Sequence, residues 1–237
     1  MAQLQRLAIA PSQLQDKEIL LTNQQQHYLG NVLRLREGDH FIAMDGQGQW
    51  WLSVLAGATA QILELIEIQT ELPVSITLIM ALPKGNSFDE VVRACTELGV
   101  TSIAPVISDR TLLNPSPQKL ERWRRIAKEA AEQSERSVVP AILEPVSFAT
   151  AISATAGNHR FFCVARDSYP HLKNALNSVS ITSDILIAIG CEGGWTASEA
   201  QLAIAAGFQP VSLGRRILRA VTAPIVALSL VAAAFAE

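Results

Sequence analysis

Apolar and polar positions follow two different rhythms along this chain. Up to about residue 70 the apolar runs are short and separated by turn residues. Phe41-Ile-Ala-Met44 and Trp50-Trp-Leu-Ser-Val-Leu55 flank Asp45-Gly-Gln-Gly48, which predicts two strands joined by a tight turn. Gln24 to Leu33 predicts one helix, ending before Arg34-Leu-Arg-Glu-Gly38-Asp39. Short strands with a single helix suggest a small barrel, and Pro73 marks its expected boundary, giving units of residues 1–72 and 73–237.

From Val74 onward strands alternate with helices. Val74–Ala81, Ser102–Ile107, Arg160–Ala165, Asp184–Ile189 and Pro210–Leu213 read as strands. Ser87 and Glu90 have capping-box spacing, Val91, Val92, Cys95 and Leu98 share one helical face, and Gly99 ends that helix. Ser116-Pro117 opens another helix, with proline at its first position, running to about Arg136. A helix from Ala197 stops at Gly207, and Thr222 is expected to cap a final helix with Pro224 in its first turn. This alternation implies an α/β domain with a parallel sheet covered on both faces. The last helix is apolar nearly all round (Ile225, Val226, Leu228, Leu230, Val231, Phe235), so burial within the fold or at a subunit contact is expected.

The chain has 237 residues, 49% of them hydrophobic, enough for a substantial core. A net charge of −3 argues against coating nucleic acid through bulk charge, but the charge is uneven. Residues 1–70 carry four basic and seven acidic side chains, and the remainder fifteen of each. Cys95, Cys163 and Cys191 are far apart and form no CxxC pair, so they read as small core residues, with no metal site or disulfide framework expected. The first residues lack an apolar signal core, and the run from Ile225 to Ala236 is shorter than the roughly 20 residues a bilayer requires. No membrane association is expected, and a cytoplasmic location is.

Candidate chemistry concentrates in two loops. Ile189-Gly-Cys-Glu-Gly-Gly-Trp-Thr196 joins a strand to a helix whose Thr196 and Glu199 have capping-box spacing. Ser212-Leu-Gly-Arg-Arg-Ile-Leu-Arg219 follows the next strand, with one glycine and three arginines. Glycines in such turns admit a ligand against bare backbone. The spacing Gly190-x-x-Gly193-Gly194 is not the dinucleotide pattern, and arginines occupy the region where that pattern needs an acid, which disfavours a dinucleotide-dependent oxidoreductase.

In its ordered motifs the chain resembles the RsmE family, the bacterial enzymes of the SPOUT class that methylate N3 of a uridine in small-subunit (16S) ribosomal RNA. The family pattern, roughly IGPEGGFT and then LGxRILRxETA, reads here Ile189-Gly-Cys-Glu-Gly-Gly-Trp-Thr196 and Leu213-Gly-Arg-Arg-Ile-Leu-Arg-Ala-Val-Thr-Ala223. Lys84-Gly85, Thr96-Glu-Leu-Gly-Val100, Pro105, Trp123, Glu129–Arg136, Val139-Pro140, His27-Tyr-Leu29 and Val32–Asp39 also match, so the resemblance spans nearly the whole chain. It departs at Cys191, Trp195, Arg215 and, above all, Val221, where the family usually has glutamate, so no carboxylate role is carried to that position.

The resemblance implies a PUA-like barrel over residues 1–72 that helps bind RNA. It also implies a SPOUT α/β domain over 73–237 with a deep trefoil knot, working as a homodimer on 16S rRNA or the small ribosomal subunit with S-adenosyl-L-methionine as cofactor. Gly190, Gly193, Gly194 and Gly214 would let backbone approach the adenosyl group. Leu213, Ile217 and Leu218 would sandwich its rings, and Glu192 would bond the ribose or cap a neighbouring loop. Arg219 is the candidate catalytic residue, stabilising charge on the uracil oxygens or gripping the target phosphate. Arg6, Arg34, Arg36 and Arg136 are the expected RNA contacts, Arg136 also a candidate for the dimer contact. Arg122, Arg124, Arg125 and Lys128 read as a solvated helix face with i,i+4 pairs. His27 is expected to pack or cap. The alternatives are a non-catalytic RNA-binding dimer of the same fold, which Val221 favours, and a related methylase acting on tRNA.

Overall fold

A computed structural model describes residues 4–155, 157–166 and 168–236. The chain separates into two compact units, Met1–Glu71 with Ala131–Val139, and Leu72–Ala130 with Pro140–Glu237.

The first unit is built on β1 (Arg6–Ala8), β2 (Leu14–Gln15), β3 (Glu18–Leu20), β4 (His40–Met44), β5 (Trp50–Ala56) and β6 (Thr59–Ile66). They form one sheet in the order β1-β4-β5-β6-β3-β2, antiparallel except for β1 against β4. Asp45 makes the β4–β5 turn: its Oδ1 accepts from the amides of Gln47 at 2.7 Å and Gln49 at 3.0 Å. Strand β4 is buried on both sides. Phe41 and Ala43 join Leu7, Ile19, Leu29 and Leu55 in the main core. Ile42 and Met44 pack with Ala8, Trp50 and Ala131. The expected helix from Gln24 is two joined pieces: α1 (Asn23–His27), capped by Thr22 and Gln25, widens into a π turn over Tyr28–Val32. The segment Ala131–Val139 supplies this unit's ion pairs, Arg6 with Glu135 at 2.7 Å and Arg136 with Glu71.

The second unit is an all-parallel sheet flanked by helices. Its elements are β7 (Ser75–Ala81), α2 (Ser87–Glu97), β8 (Ser102–Ile107), α3 (Pro117–Gln133, whose last residues from Ala131 belong to the first unit), β9 (Ala141–Ile142), β10 (Val146–Ser147), α4 (Phe148–Ala154), β11 (His159–Cys163), α5 (Leu172–Leu176), β12 (Asp184–Ile189), α6 (Ala197–Ala205), β13 (Gln209–Val211) and α7 (Thr222–Phe235). The strand order is β10-β8-β7-β12-β11-β13, with β9 beside β8. Strand β12 thus inserts between β7 and β11, which accounts for its near-continuous apolar run. Ile79, Ala81, Leu186, Ala188 and Phe162 face a core completed by Phe148 and Ile152 of α4 and Ala203 of α6. Helices α2 and α5 pack on α7, which also touches β12. Helix α7 buries Ala227, Leu228, Val231 and Phe235, while Ile225, Val226 and Leu230 are half-buried.

Two expected caps are absent. Ser87 lies inside α2, and Asn86 at the cap position makes no side-chain cap because its Oδ1 accepts from Lys119 Nζ at 3.1 Å. Thr222 is the first residue of α7; the carbonyl of Arg219 instead accepts from the amides of Thr222 and Ala223 at 2.9 and 3.0 Å. Pattern reading placed β8 and β12 to the residue but passed over β9, β10, α4 and α5, whose two to seven residues are too short to show a period. Among the described residues no helix is long and apolar enough to cross a membrane, and no group of three or more metal-ligating side chains occurs.

Candidate functional site

The chain leaves β12 at Ile189 and turns sharply, with the Gly194 amide donating to the Cys191 carbonyl at 2.9 Å. Its three glycines have different causes. At Gly190 a Cβ would lie 3.2 Å from the Gly194 backbone and 3.3 Å from the Trp195 ring. At Gly193 it would lie 3.0 and 3.1 Å from Arg110 Cδ and Cβ. Gly194 has open space around it but a φ of +66°, which side-chain-bearing residues resist. Trp195 stacks on Phe162 with ring centroids 5.1 Å apart. The expected capping box then forms: Thr196 Oγ1 accepts from the Glu199 amide, and Glu199 Oε2 accepts from the Thr196 amide at 2.8 Å.

Groups from the loops after β7 and β8 converge on this loop. Because β8, β7 and β12 are adjacent and parallel, their carboxyl-end loops share one edge of the sheet, where open α/β sheets place ligands. Glu192 Oε1 accepts from the Lys84 amide, after β7, at 3.1 Å. After β8, the Asp109 amide donates to Glu199 Oε1 at 2.9 Å, and Asp109 Oδ2 accepts from the Thr196 hydroxyl at 2.9 Å. Arg110 Nη1 donates to the Gly193 carbonyl at 2.6 Å, and Cys191 Sγ donates to the Arg110 carbonyl at 3.4 Å. Glu199, only 4% exposed, is therefore more than a helix cap: its second oxygen anchors the loop after β8.

The second glycine loop follows β13 and is held mainly through backbone. The Ser212 amide donates to the Pro170 carbonyl and the Leu172 amide to the Ser212 carbonyl, both at 2.9 Å. Ser212 Oγ accepts from the Gly214 amide at 3.0 Å, and Gly214 has a φ of +116°. A cleft of about 520 Å³ opens here, lined by Tyr169, His171, Ser212, Gly214 and Arg215 among others. Leu213 and Leu218 are half-buried, Ile217 is 62% exposed, and Arg215, Arg216 and Arg219 are all exposed. Strand β11 pairs with both β12 and β13, so this loop lies on the same sheet edge as the first.

Sequence reasoning selected both glycine loops and missed what braces them. Asp109, Arg110, His171 and the second role of Glu199 carried no periodic signal; the signal that could have marked the first two is the turn-forming Ser108-Asp-Arg-Thr111 after β8, which was passed over. In the first unit Arg34 and Arg36 are exposed, Arg34 with a φ of +59°. Arg6 and Arg136, expected to meet RNA, are engaged internally. The Arg6 guanidinium pairs with Glu135 and lies 5.1 Å from the Trp50 ring centroid. Arg136 is 4% exposed and bonds Glu71 through Nε at 3.1 Å, which leaves it little surface for a phosphate. Burial pushes the Cys95 and Cys163 thiols up to about 12, so both are inert core groups.

The comparisons with known proteins agree with this architecture. Residues 70–232 match the family model of an RNA methyltransferase domain, and residues 21–68 that of an RNA methyltransferase PUA domain. The chain is 51% identical over 229 residues to ribosomal RNA small subunit methyltransferase E of Synechocystis, covering 94% of this chain and 76% of that protein. It is 30% identical to the Bacillus subtilis protein of the same name, covering 88% and 87% respectively. The crystal structure of ribosomal RNA small subunit methyltransferase E from Neisseria gonorrhoeae bound to S-adenosyl methionine superposes with a TM-score of 0.89 at 32% identity, covering 98% of each chain. With both domain models in order and similarity along almost its whole length, the chain belongs to the ribosomal RNA small subunit methyltransferase E family.

Proposed function

We propose that this protein transfers a methyl group from S-adenosylmethionine to N3 of a uridine in 16S ribosomal RNA. One observation carries the reading: two glycine loops, each with a glycine at positive φ, stand on one edge of a parallel sheet in a chain of this family. The residues present suit the cofactor. At Gly194 the loop after β12 offers backbone with open space beside it, Leu213, Ile217 and Leu218 offer apolar surface to an adenine, and the cleft beside Gly214 is open.

S-adenosylmethionine supplies an electrophilic sulfonium methyl, so the chain's residues have to position the acceptor and favour its deprotonated form. Loss of the uracil N3 proton spreads negative charge over N3, O2 and O4. Arg219, exposed beside the second glycine loop, supplies a cation for that charge or for the target phosphate. Gly190, Gly193, Gly194 and Gly214 present backbone to the cofactor. Glu192, whose Oε1 accepts from the Lys84 amide, shapes the pocket rather than binding the ribose with that oxygen.

On this reading residues 1–72 form the RNA-binding domain, with Arg34 and Arg36 as phosphate contacts. Arg6 and Arg136 hold that unit together instead. Residues 73–237, apart from the Ala131–Val139 segment that belongs to the first unit, form the methyltransferase domain, carrying the SPOUT trefoil knot and pairing as a homodimer in the cytoplasm.

The test is radiolabelled methyl transfer to 16S rRNA and to small subunits, followed by mapping of the modified base. Donor-dependent label at uridine N3 is the expected result. Binding without transfer would identify a non-catalytic RNA-binding dimer, and transfer confined to tRNA a different substrate.

A further inference from the structure

One peptide in the loop after β12, between Gly193 and Gly194, joins two glycines. Glycines on both sides leave the flanking torsions almost unrestrained, so this peptide plane can turn over at little cost. In the structure both of its polar groups are taken. The Gly194 amide donates to the Cys191 carbonyl at 2.9 Å, and the Gly193 carbonyl accepts from Arg110 Nη1 at 2.6 Å. Only the second bond comes from outside the turn. Arg110 is itself held, because its carbonyl accepts from Cys191 Sγ and the preceding Asp109 bonds both Glu199 and Thr196. Its aliphatic stem lies where a side chain on residue 193 would be, 3.0–3.1 Å from an added Cβ.

We infer that Arg110 is a positioning residue for the methyl donor: through its bond to the Gly193 carbonyl it locks the Gly193–Gly194 peptide in the orientation that receives the adenosyl group. This rests on the assignment of the loop after β12 to S-adenosylmethionine. A charge-assisted bond to one peptide oxygen selects one of two peptide orientations, and affinity falls in proportion to the fraction of loops left in the competent one. Arg110 is exposed, so its removal exerts its effect on the loop and hardly on the core.

The experiment is calorimetric S-adenosylmethionine binding by the full-length wild type, Arg110→Ala, Arg110→Lys, Gly193→Ala and the Arg110→Ala/Gly193→Ala double variant, with thermal unfolding of each and KM for donor and RNA measured separately. Arg110→Ala should raise Kd and donor KM about tenfold while RNA KM stays within twofold. Its unfolding midpoint should move by less than about 2 °C. Arg110→Lys, which keeps a cationic donor, should recover part of the loss. Gly193→Ala displaces Arg110, so the double variant should be no weaker than the worse single one. Unchanged donor Kd in Arg110→Ala would overturn the inference, as would a loss confined to RNA KM or additive losses in the double variant. Failure of the wild type to bind S-adenosylmethionine would instead remove the assignment of the loop itself.

Discussion

The two glycine loops of the α/β unit are built on opposite plans. The loop after β12 is tied to its neighbours through side chains: its own Glu192 reaches the Lys84 amide, Thr196 and Glu199 engage Asp109, and Arg110 of the loop after β8 engages Gly193. The loop after β13 is held by main-chain bonds to Pro170 and Leu172 and by its own Ser212, leaving its three arginines in solvent. One loop uses charged groups to set its shape; the other leaves its charges exposed. The proposed function divides along this line, with the small molecule met through backbone and the RNA through charge.

The comparison breaks most visibly at the arginines. Arg219→Ala should lower kcat for RNA methylation by about 10²-fold or more while leaving donor affinity unchanged, as measured by steady-state kinetics and calorimetry. Loss of donor affinity would place Arg219 with the shape-setting group instead. Gly194→Val should act in the reverse sense. An added Cβ meets nothing within 4 Å, but a β-branched residue at a φ of +66° costs about 1–3 kcal/mol, which should weaken donor binding roughly 10- to 100-fold in a protein with unchanged circular dichroism. Normal affinity would mean the loop's conformation is irrelevant to the cofactor.

The bracing groups sharpen the contrast. Glu199→Ala strips the buried acceptor from the amides of both Asp109 and Thr196 and should destabilise the protein by about 2–3 kcal/mol in denaturant unfolding. Ser212→Ala removes the two local bonds its hydroxyl makes to Gly214 from a loop that keeps its main-chain ties, and should cost about 1 kcal/mol.

The last effect, absent near neutrality, comes from two buried thiols. Cys95 and Cys163 are shifted from 9.0 up to about 12 by burial, so between those values the unfolded chain binds fewer protons than the native one. Stability from this source is therefore fully present below pH 9 and falls above it by about 1.4 kcal/mol per pH unit for each thiol. Replacing both by alanine should flatten that slope in pH-dependent unfolding.

How far the sequence could be read depended on length and on locality. The strands Ser102–Ile107 and Asp184–Ile189 stood out because both faces of each are buried, and the Thr196–Glu199 box because its two partners are three residues apart. The bracing of the first loop was hidden because Asp109 and Glu199 are 90 positions apart, and nothing local distinguishes a capping glutamate from one that also reaches a neighbouring loop. The internal partners of Arg6 and Arg136 were hidden for a related reason. Arginine exposed for RNA and arginine folded onto Trp50 or Glu71 look the same until the chain closes.

The nine residues from Ala131 to Val139, which lie deep in the methyltransferase sequence yet belong to the N-terminal unit, constrain how this architecture can be taken apart. A fragment cut at residue 72 would carry Trp50 and Met44 without Ala131, and Glu71 without its arginine. Transplanting the N-terminal unit onto another catalytic domain therefore calls for a second graft, and recombination at a single crossover would yield a barrel with an open seam.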